Sequence, residues 1–155
     1  MKRAFDLVKR SAVVLALGLA AVTAVAAPAH AVSAYSGGNP YSSGCAGNGA
    51  QWASSSVDVW DGSTYVGYGY LRYSYGCQAN WSEFRYANSA AYNNYTVGPS
   101  AWENGTTGTD QYSPDLAANP VYSRMVDGRS TACAGAQIYR YPSGQHVTWA
   151  FFACA

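Results

Sequence analysis

The sequence predicts an all-β fold, a small disulfide-stapled sandwich or barrel of about seven short strands, mostly antiparallel. Three observations predict it. Beyond position 31, runs rich in Val, Thr, Tyr, Phe and Trp are broken repeatedly by Gly, Asn, Asp, Ser or Pro, with no sustained helical period. Four cysteines, Cys45, Cys77, Cys133 and Cys154, make an even set in a short domain. The N-terminus has the three-part pattern of an export signal, which would put those cysteines where disulfides persist.

Residues 1–31 read as that signal. Lys2, Arg3, Lys9 and Arg10 precede an apolar run over 11–27, and Ala29-His30-Ala31 is a small-residue cleavage site. Residues 32–44 are small, polar and turn-prone, the composition of a flexible N-terminal arm. Residues 45–155 then form a single β-rich domain, with strands expected over 56–60, 64–75, 79–86, 91–97, 121–126, 131–141 and 145–154. Asp61-Gly62 is a hairpin signal between the first two. The stretch 98–119 is the longest loop candidate.

The last two strands carry a register argument. Pro142-Ser143-Gly144-Gln145 is a turn signal, and a two-residue loop at Ser143-Gly144 would set Pro142 opposite Gln145. The same register sets Cys133 opposite Cys154, within disulfide reach. It also puts Ile138 against Trp149, Ala136 against Phe151 and Arg140 against Val147 on a core face. Tyr139–Thr148, Tyr141–His146 and the disulfide would share the less apolar face. By elimination Cys45 pairs with Cys77. Chain entropy alone would give about 3.4 kcal/mol for the Cys133–Cys154 bridge and about 3.7 kcal/mol for Cys45–Cys77.

Composition excludes some functions. Without residues 1–31, five arginines, no lysine and seven acidic residues remain, a net charge of −2. A nucleic-acid or anionic-membrane binder needs a basic face, so neither partner is expected once the signal is cleaved. Disorder is equally disfavoured, because 22 aromatic residues fall within those 124 positions.

Residues 65–76 read YVGYGYLRYSYG. As a strand, this run would set Val66, Tyr68, Tyr70 and Arg72 on one face and Gly67, Gly69, Leu71 and Tyr73 on the other. Tyr68 and Tyr70, with Trp102 in the long loop, are the candidate ligand-binding aromatics. Cross-strand packing of aromatics over the glycines is the competing reading. Catalytic signals are thin. His146 lies beside a turn with no G-x-S-x-G elbow, and Glu83, Glu103, Asp110, Asp115 and Asp127 read as scattered, solvated acids rather than a converging pair. The cysteine spacing lacks the C-x-x-C of a zinc site and Asp110–Asp115 does not match a calcium loop, so no metal or cofactor is expected.

The run LRYSYGCQANW, residues 71–81, resembles the signature of the YjfA-like proteins, small exported proteins found mainly in actinobacteria. In that family a strand ending L-R-Y-S is followed by two residues, a cysteine, three residues and a tryptophan. The matching positions are Leu71, Arg72, Tyr73, Ser74, Cys77 and Trp81. The resemblance reaches back to Cys45 and, more loosely, forward to the terminal cysteine. Tyr70 before the leucine and Ser82-Glu83 after the tryptophan depart from the family pattern. The resemblance implies export and a disulfide-stapled β domain of unknown function, and it transfers no catalytic residue. The function expected is therefore non-catalytic binding outside the cell or at its wall, to polysaccharide or an extracellular protein, through surface aromatics. The alternatives are a secreted effector or inhibitor using the 32–44 arm, and a wall or peptide hydrolase using His146 or the acids near Trp102.

Overall fold

The computed structural model describes residues 34–47, 49–104, 111–112 and 119–155. The signal expected at 1–31 lies outside the described residues, as do 105–110 and 113–118 of the expected loop. The described strands are β1 (Ala50–Trp52), β2 (Val57–Asp61), β3 (Thr64–Ser74), β4 (Ala79–Tyr86), β5 (Tyr95–Glu103), β6 (Gln111–Tyr112), β7 (Val121–Tyr122), β8 (Val126–Asp127), β9 (Ala132–Arg140) and β10 (Gln145–Cys154). One short helix, α1 (Ser89–Asn94), joins β4 to β5. No helix among the described residues is long and apolar enough to cross a membrane.

The fold is all-β, with antiparallel pairing in two sheets. The first runs β1-β3-β4-β7, with β2 also on β3 and β8 also on β4; the second runs β10-β9-β5-β6. Their facing surfaces bury Val59, Val66, Leu71, Phe84, Val97, Val121, Ala136, Ile138 and Phe152 in one core. The Phe84 and Phe152 rings meet across the sheets with centroids 6.5 Å apart. Ser82 adds a polar tie, donating from Oγ to the Gly135 carbonyl at 2.9 Å.

The glycines of β3 make that approach possible. Gly69 lies directly beneath the Phe152 ring, and a β-carbon there would occupy the ring's position. Gly67, at φ +155°, backs onto the Arg85 carbonyl and the Phe84 ring. The alternation expected for β3 holds from Gly67 onward, where the register pairs Tyr68 with Arg85 and Tyr70 with Glu83. It fails at Val66. A register shift pairs Val59 with Gly67 but Trp60 with Tyr65. The extra residue turns Val66 into the core instead of onto the tyrosine face.

Three other expectations are corrected. The strand expected over 91–97 begins as α1, because the Asn88 side chain caps the Ala91 amide at 2.9 Å and two alanines follow the cap. The strand proper starts at Tyr95 and continues to Glu103, through the first residues of the presumed loop. The strand expected over 121–126 divides into β7 and β8. Between them Met125 turns to the N-terminal segment, accepting from the Gly37 amide at 2.7 Å and donating to the Gly38 carbonyl at 3.0 Å. That segment was expected to be a flexible arm. Its residues 34–47 instead run through successive turns against the first sheet and bury Pro40 and Cys45.

The hairpin register also differs from the expected one. Residues 141–144 form a four-residue turn, closed by the Gly144 amide donating to the Arg140 carbonyl at 2.8 Å, and Gln145 pairs with Arg140. Two irregularities on β10, between His146 and Thr148 and between Phe151 and Ala153, each advance the register by one residue. At the far end Cys154 is therefore opposite Cys133. Between the irregularities, Thr148 and Ala150 oppose Ile138 and Ala136, and Trp149 and Phe151 oppose Gln137 and Gly135. Disulfides join Cys45 to Cys77 and Cys133 to Cys154, chemistry suited to an oxidising compartment.

Arg140, expected on the core face, clamps the two sheets at their rim. Its Nε and Nη2 each donate to Asp61 at 2.7 Å, and the Tyr95 hydroxyl donates to the same carboxylate at 3.0 Å. The Arg140 hydrogen bonds hold the Asp61 carboxyl below its usual range.

Gly69→Ala should lower stability by about 1–3 kcal/mol, since the new methyl must displace Phe152 from a packed core. A denaturant titration of both proteins measures this. An unchanged or higher midpoint would mean that Phe152 does not rest on position 69.

Candidate functional site

Alternation along β3 and β4 puts Tyr70, Arg72, Trp81, Glu83 and Arg85 on the outer face of the first sheet, with Tyr70 opposite Glu83 and Arg72 opposite Trp81. Glu83 was expected among the solvated acids; it is fully buried, at 0% exposure. Its carboxylate accepts from the Tyr70 hydroxyl at 2.6 Å, from Arg85 Nη2 at 3.1 Å and from the Tyr41 hydroxyl of the N-terminal segment at 3.0 Å. Trp81 Nε1 donates at 3.5 Å. Arg72 stands 3.9 Å away as an ion pair, its Nε buried without a hydrogen-bond acceptor. The Arg72 guanidinium is instead 5.7 Å from the Trp81 ring and 6.0 Å from the Tyr70 ring, within cation–π range.

Burial of a carboxylate is tolerable only with such compensation. The compensation shifts its donors. Burial first, then the Glu83 hydrogen bond and charge, push the Tyr70 phenol up to about 12. Tyr41 is pushed up by burial and by the charge of Glu83. This cluster binds parts of the fold together. Glu83 has no solvent access, and the hydroxyl, indole and guanidinium groups around it donate to it, the arrangement of a structural carboxylate.

The three candidate ligand residues do not share a surface. Tyr70 is buried at 0% exposure, with the Trp52 ring lying against it at 5.2 Å. Tyr68 is half-buried and stacks on Tyr70 at 6.1 Å. Trp102 belongs to β5 in the other sheet, paired with Cys133. There it touches two aromatic residues expected in the core, with centroids 5.9 Å from Trp149 and 6.2 Å from Phe151. Trp149 is 43% exposed and Phe151 52%. The face carrying the Cys133–Cys154 bridge is thus the more aromatic outer face of the hairpin, opposite to expectation. Gly135 supplies its floor, since a β-carbon there would press on the Trp149 ring at 3.0 Å. The signal for this face was present in β10, where Trp149 and Phe151 are two apart, but the irregularity before Thr148 reverses which side they take.

The catalytic candidates are dispersed. His146 is exposed on β10 with its ring 5.2 Å from that of Tyr139. Glu103 ends β5. Asp127, expected among the solvated acids, is buried at the end of β8 and gripped by Arg129, whose Nε and Nη2 donate at 2.9 and 2.7 Å. Asp110 and Asp115 lie outside the described residues. Among the described residues, no group of three or more His, Cys, Asp or Glu is gathered as a metal would need.

These features define a two-sheet β domain with two disulfides, a buried Glu83 cluster and an outward aromatic face. The chain belongs to a family of proteins of unknown function, DUF2690, whose model matches residues 33–137. The match takes in the Glu83 cluster and Trp102 and ends before Trp149 and Phe151. No curated protein and no solved structure matches the chain.

Glu83→Ala would leave the Arg72 and Arg85 cations without their carboxylate, and should cost about 3–5 kcal/mol in denaturant unfolding. Tyr70 supplies a pH test. Its folded pKa, about 12, lies above the ordinary phenol value of 10.0. The stabilisation is therefore complete below about pH 10 and disappears as pH rises through the folded value. Unfolding midpoints measured across that interval should fall in the parent protein and fall less steeply in Tyr70→Phe. Equal slopes would count against the Tyr70–Glu83 bond.

Proposed function

We propose that this chain is an exported, non-catalytic binding protein that contacts cell-wall polysaccharide through the outer face of β5, β9 and β10. The observation that carries the reading is the aromatic cluster in which a half-buried Trp102 lies against both Trp149 and Phe151, the latter two exposed. Large aromatic rings kept at a surface forfeit burial, and soluble monomers seldom keep several together without use. Export is supported by the signal pattern of residues 1–31 and by the two disulfides. Hydrogen-bonding groups border the rings on the same face: Gln137 opposite Trp149, then Tyr139, whose hydroxyl donates to Gln137 at 2.6 Å, and His146. The net charge of −2 that remains without residues 1–31 favours a neutral polymer over a polyanion.

The effector reading with an added strand is less well supported, because residues 37 and 38 are already hydrogen-bonded to Met125. For the hydrolase reading, His146 and Glu103 have no shared cleft among the described residues.

Co-sedimentation with peptidoglycan, chitin and cellulose tests the proposal. The oxidised protein should pellet with at least one solid, and the double variant Trp149→Ala/Phe151→Ala should lose most of that pelleting while keeping its far-UV spectrum. Equal pelleting of the variant, or none by the parent protein, would overturn it.

A further inference from the structure

A second concavity lies away from the aromatic face, at the edge of the first sheet where β1 and the β3–β4 turn approach Ala155. We infer that this cleft binds a single neutral sugar ring. Its walls are formed by Gln51, Tyr73, Tyr75 and Asn80, with Gly128 and Ala155 closing it, and its volume is about 250 Å³. The inference uses none of the residues of the β5–β9–β10 face and does not depend on their role.

The register explains how the cleft is assembled. Gln51 pairs with Tyr73 and Tyr73 with Asn80, so an amide, a phenol and a second amide stand in one row across β1, β3 and β4. The row is on the inner face of the sheet, beyond the end of the apolar core, where Leu71 is the last large residue of β3 to be buried. Tyr75, in the turn after β3, folds back against Tyr73 with ring centroids 4.8 Å apart and planes at 84°. One edge-to-face pair therefore leaves a tyrosine ring presented to the opening, and Tyr75 is 64% exposed.

Chemistry narrows the occupant. A carboxamide donates and accepts at once, and so does a sugar hydroxyl, so the exposed Gln51 amide on the rim and the buried Asn80 amide lining the cleft match a polyol better than a purely accepting ligand. Aromatic rings suit the C–H face of a pyranose, which is apolar. No charged side chain lines the cleft. A carboxylate or phosphate would call for Arg or Lys, and Arg129 instead lines the neighbouring hollow beyond Tyr75, with Tyr35 and Gln78. Size decides the rest. Pockets that enclose drug-sized molecules run to roughly 300–1,000 Å³, so this one holds a single ring. A protein partner would need about 800 Å² of surface on each side, which a cleft of this size does not provide.

A ligand of one ring has about a dozen non-hydrogen atoms, which at ordinary ligand efficiency corresponds to a Kd of roughly 1 mM. Nitrogen-resolved NMR of the oxidised protein suits that range. Glucose, galactose, mannose and N-acetylglucosamine are the probes, with glucuronate as the charged counterpart. At least one neutral sugar should shift the Gln51 and Asn80 side-chain amides saturably, more tightly than glucuronate does. Tyr75→Ala and Gln51→Ala, both at exposed positions, should weaken this about tenfold, and Trp149→Ala should leave it unchanged. The inference is overturned if no neutral sugar moves those two amides at about 20 mM, well above the expected constant. It is overturned equally if glucuronate binds as tightly, or if Tyr75→Ala binds as the parent does.

Discussion

Glu83 carries a carboxylate where water does not reach, and an ionised carboxylate buried without partners would cost more than a domain of this size has to spare. The surrounding donors are therefore a constraint on the whole outer half of the molecule. Tyr70 and Arg72 come from β3, Trp81 and Arg85 from β4, and Tyr41 from the N-terminal segment. A one-residue slip between β3 and β4 would send Tyr70 and Arg72 to the opposite face and leave the carboxylate stranded. The cluster thus fixes a register as well as satisfying a charge. The same contacts hold the N-terminal segment down, and the Cys45–Cys77 bridge at its end adds a covalent anchor beside Trp81.

Much of this architecture was legible in the residues. Period-two alternation and Gly, Asn and Pro punctuation mark the long strands at 64–74, 79–86, 132–140 and 145–154 to within a residue or so. What they do not mark is a single extra residue. Val66 in β3 and the two irregularities of β10 each break the alternation, so an unbroken count carried across them puts residues on the wrong side, and nothing in residue type announces them. Trp149 and Phe151 were misplaced for that reason alone. The tight-turn assumption and the neglected irregularities erred in opposite directions, so the two faults cancelled at Cys133 and Cys154.

Glu83 was missed for a different reason. As one of several acids scattered along the chain, it reads as a solvated position. Its meaning becomes visible only when β3 is laid beside β4, because the compensating charges are 11 and 2 positions away, at Arg72 and Arg85. The tyrosine-rich run has the same character. Tyr70 is long, aromatic and polar at its tip, which suits a platform and a buried donor equally, and the neighbouring carboxylate decides between them. Asn88, by contrast, was readable as a cap, and its alanine-rich sequel as a turn of helix.

Gly135 sits where the two faces of the second sheet come closest to one another in consequence. On the inner side its carbonyl receives the hydroxyl of Ser82, the neighbour of Glu83; on the outer side the Trp149 indole rests on its α-carbon. The backbone there is a thin wall shared by two rooms. Any weight placed on the indole is borne by the same peptide that ties the sheets together, one residue from the buried charge. The outward aromatic surface and the interior polar cluster are therefore mechanically adjacent, although they lie on different sheets and were assembled from distant parts of the chain.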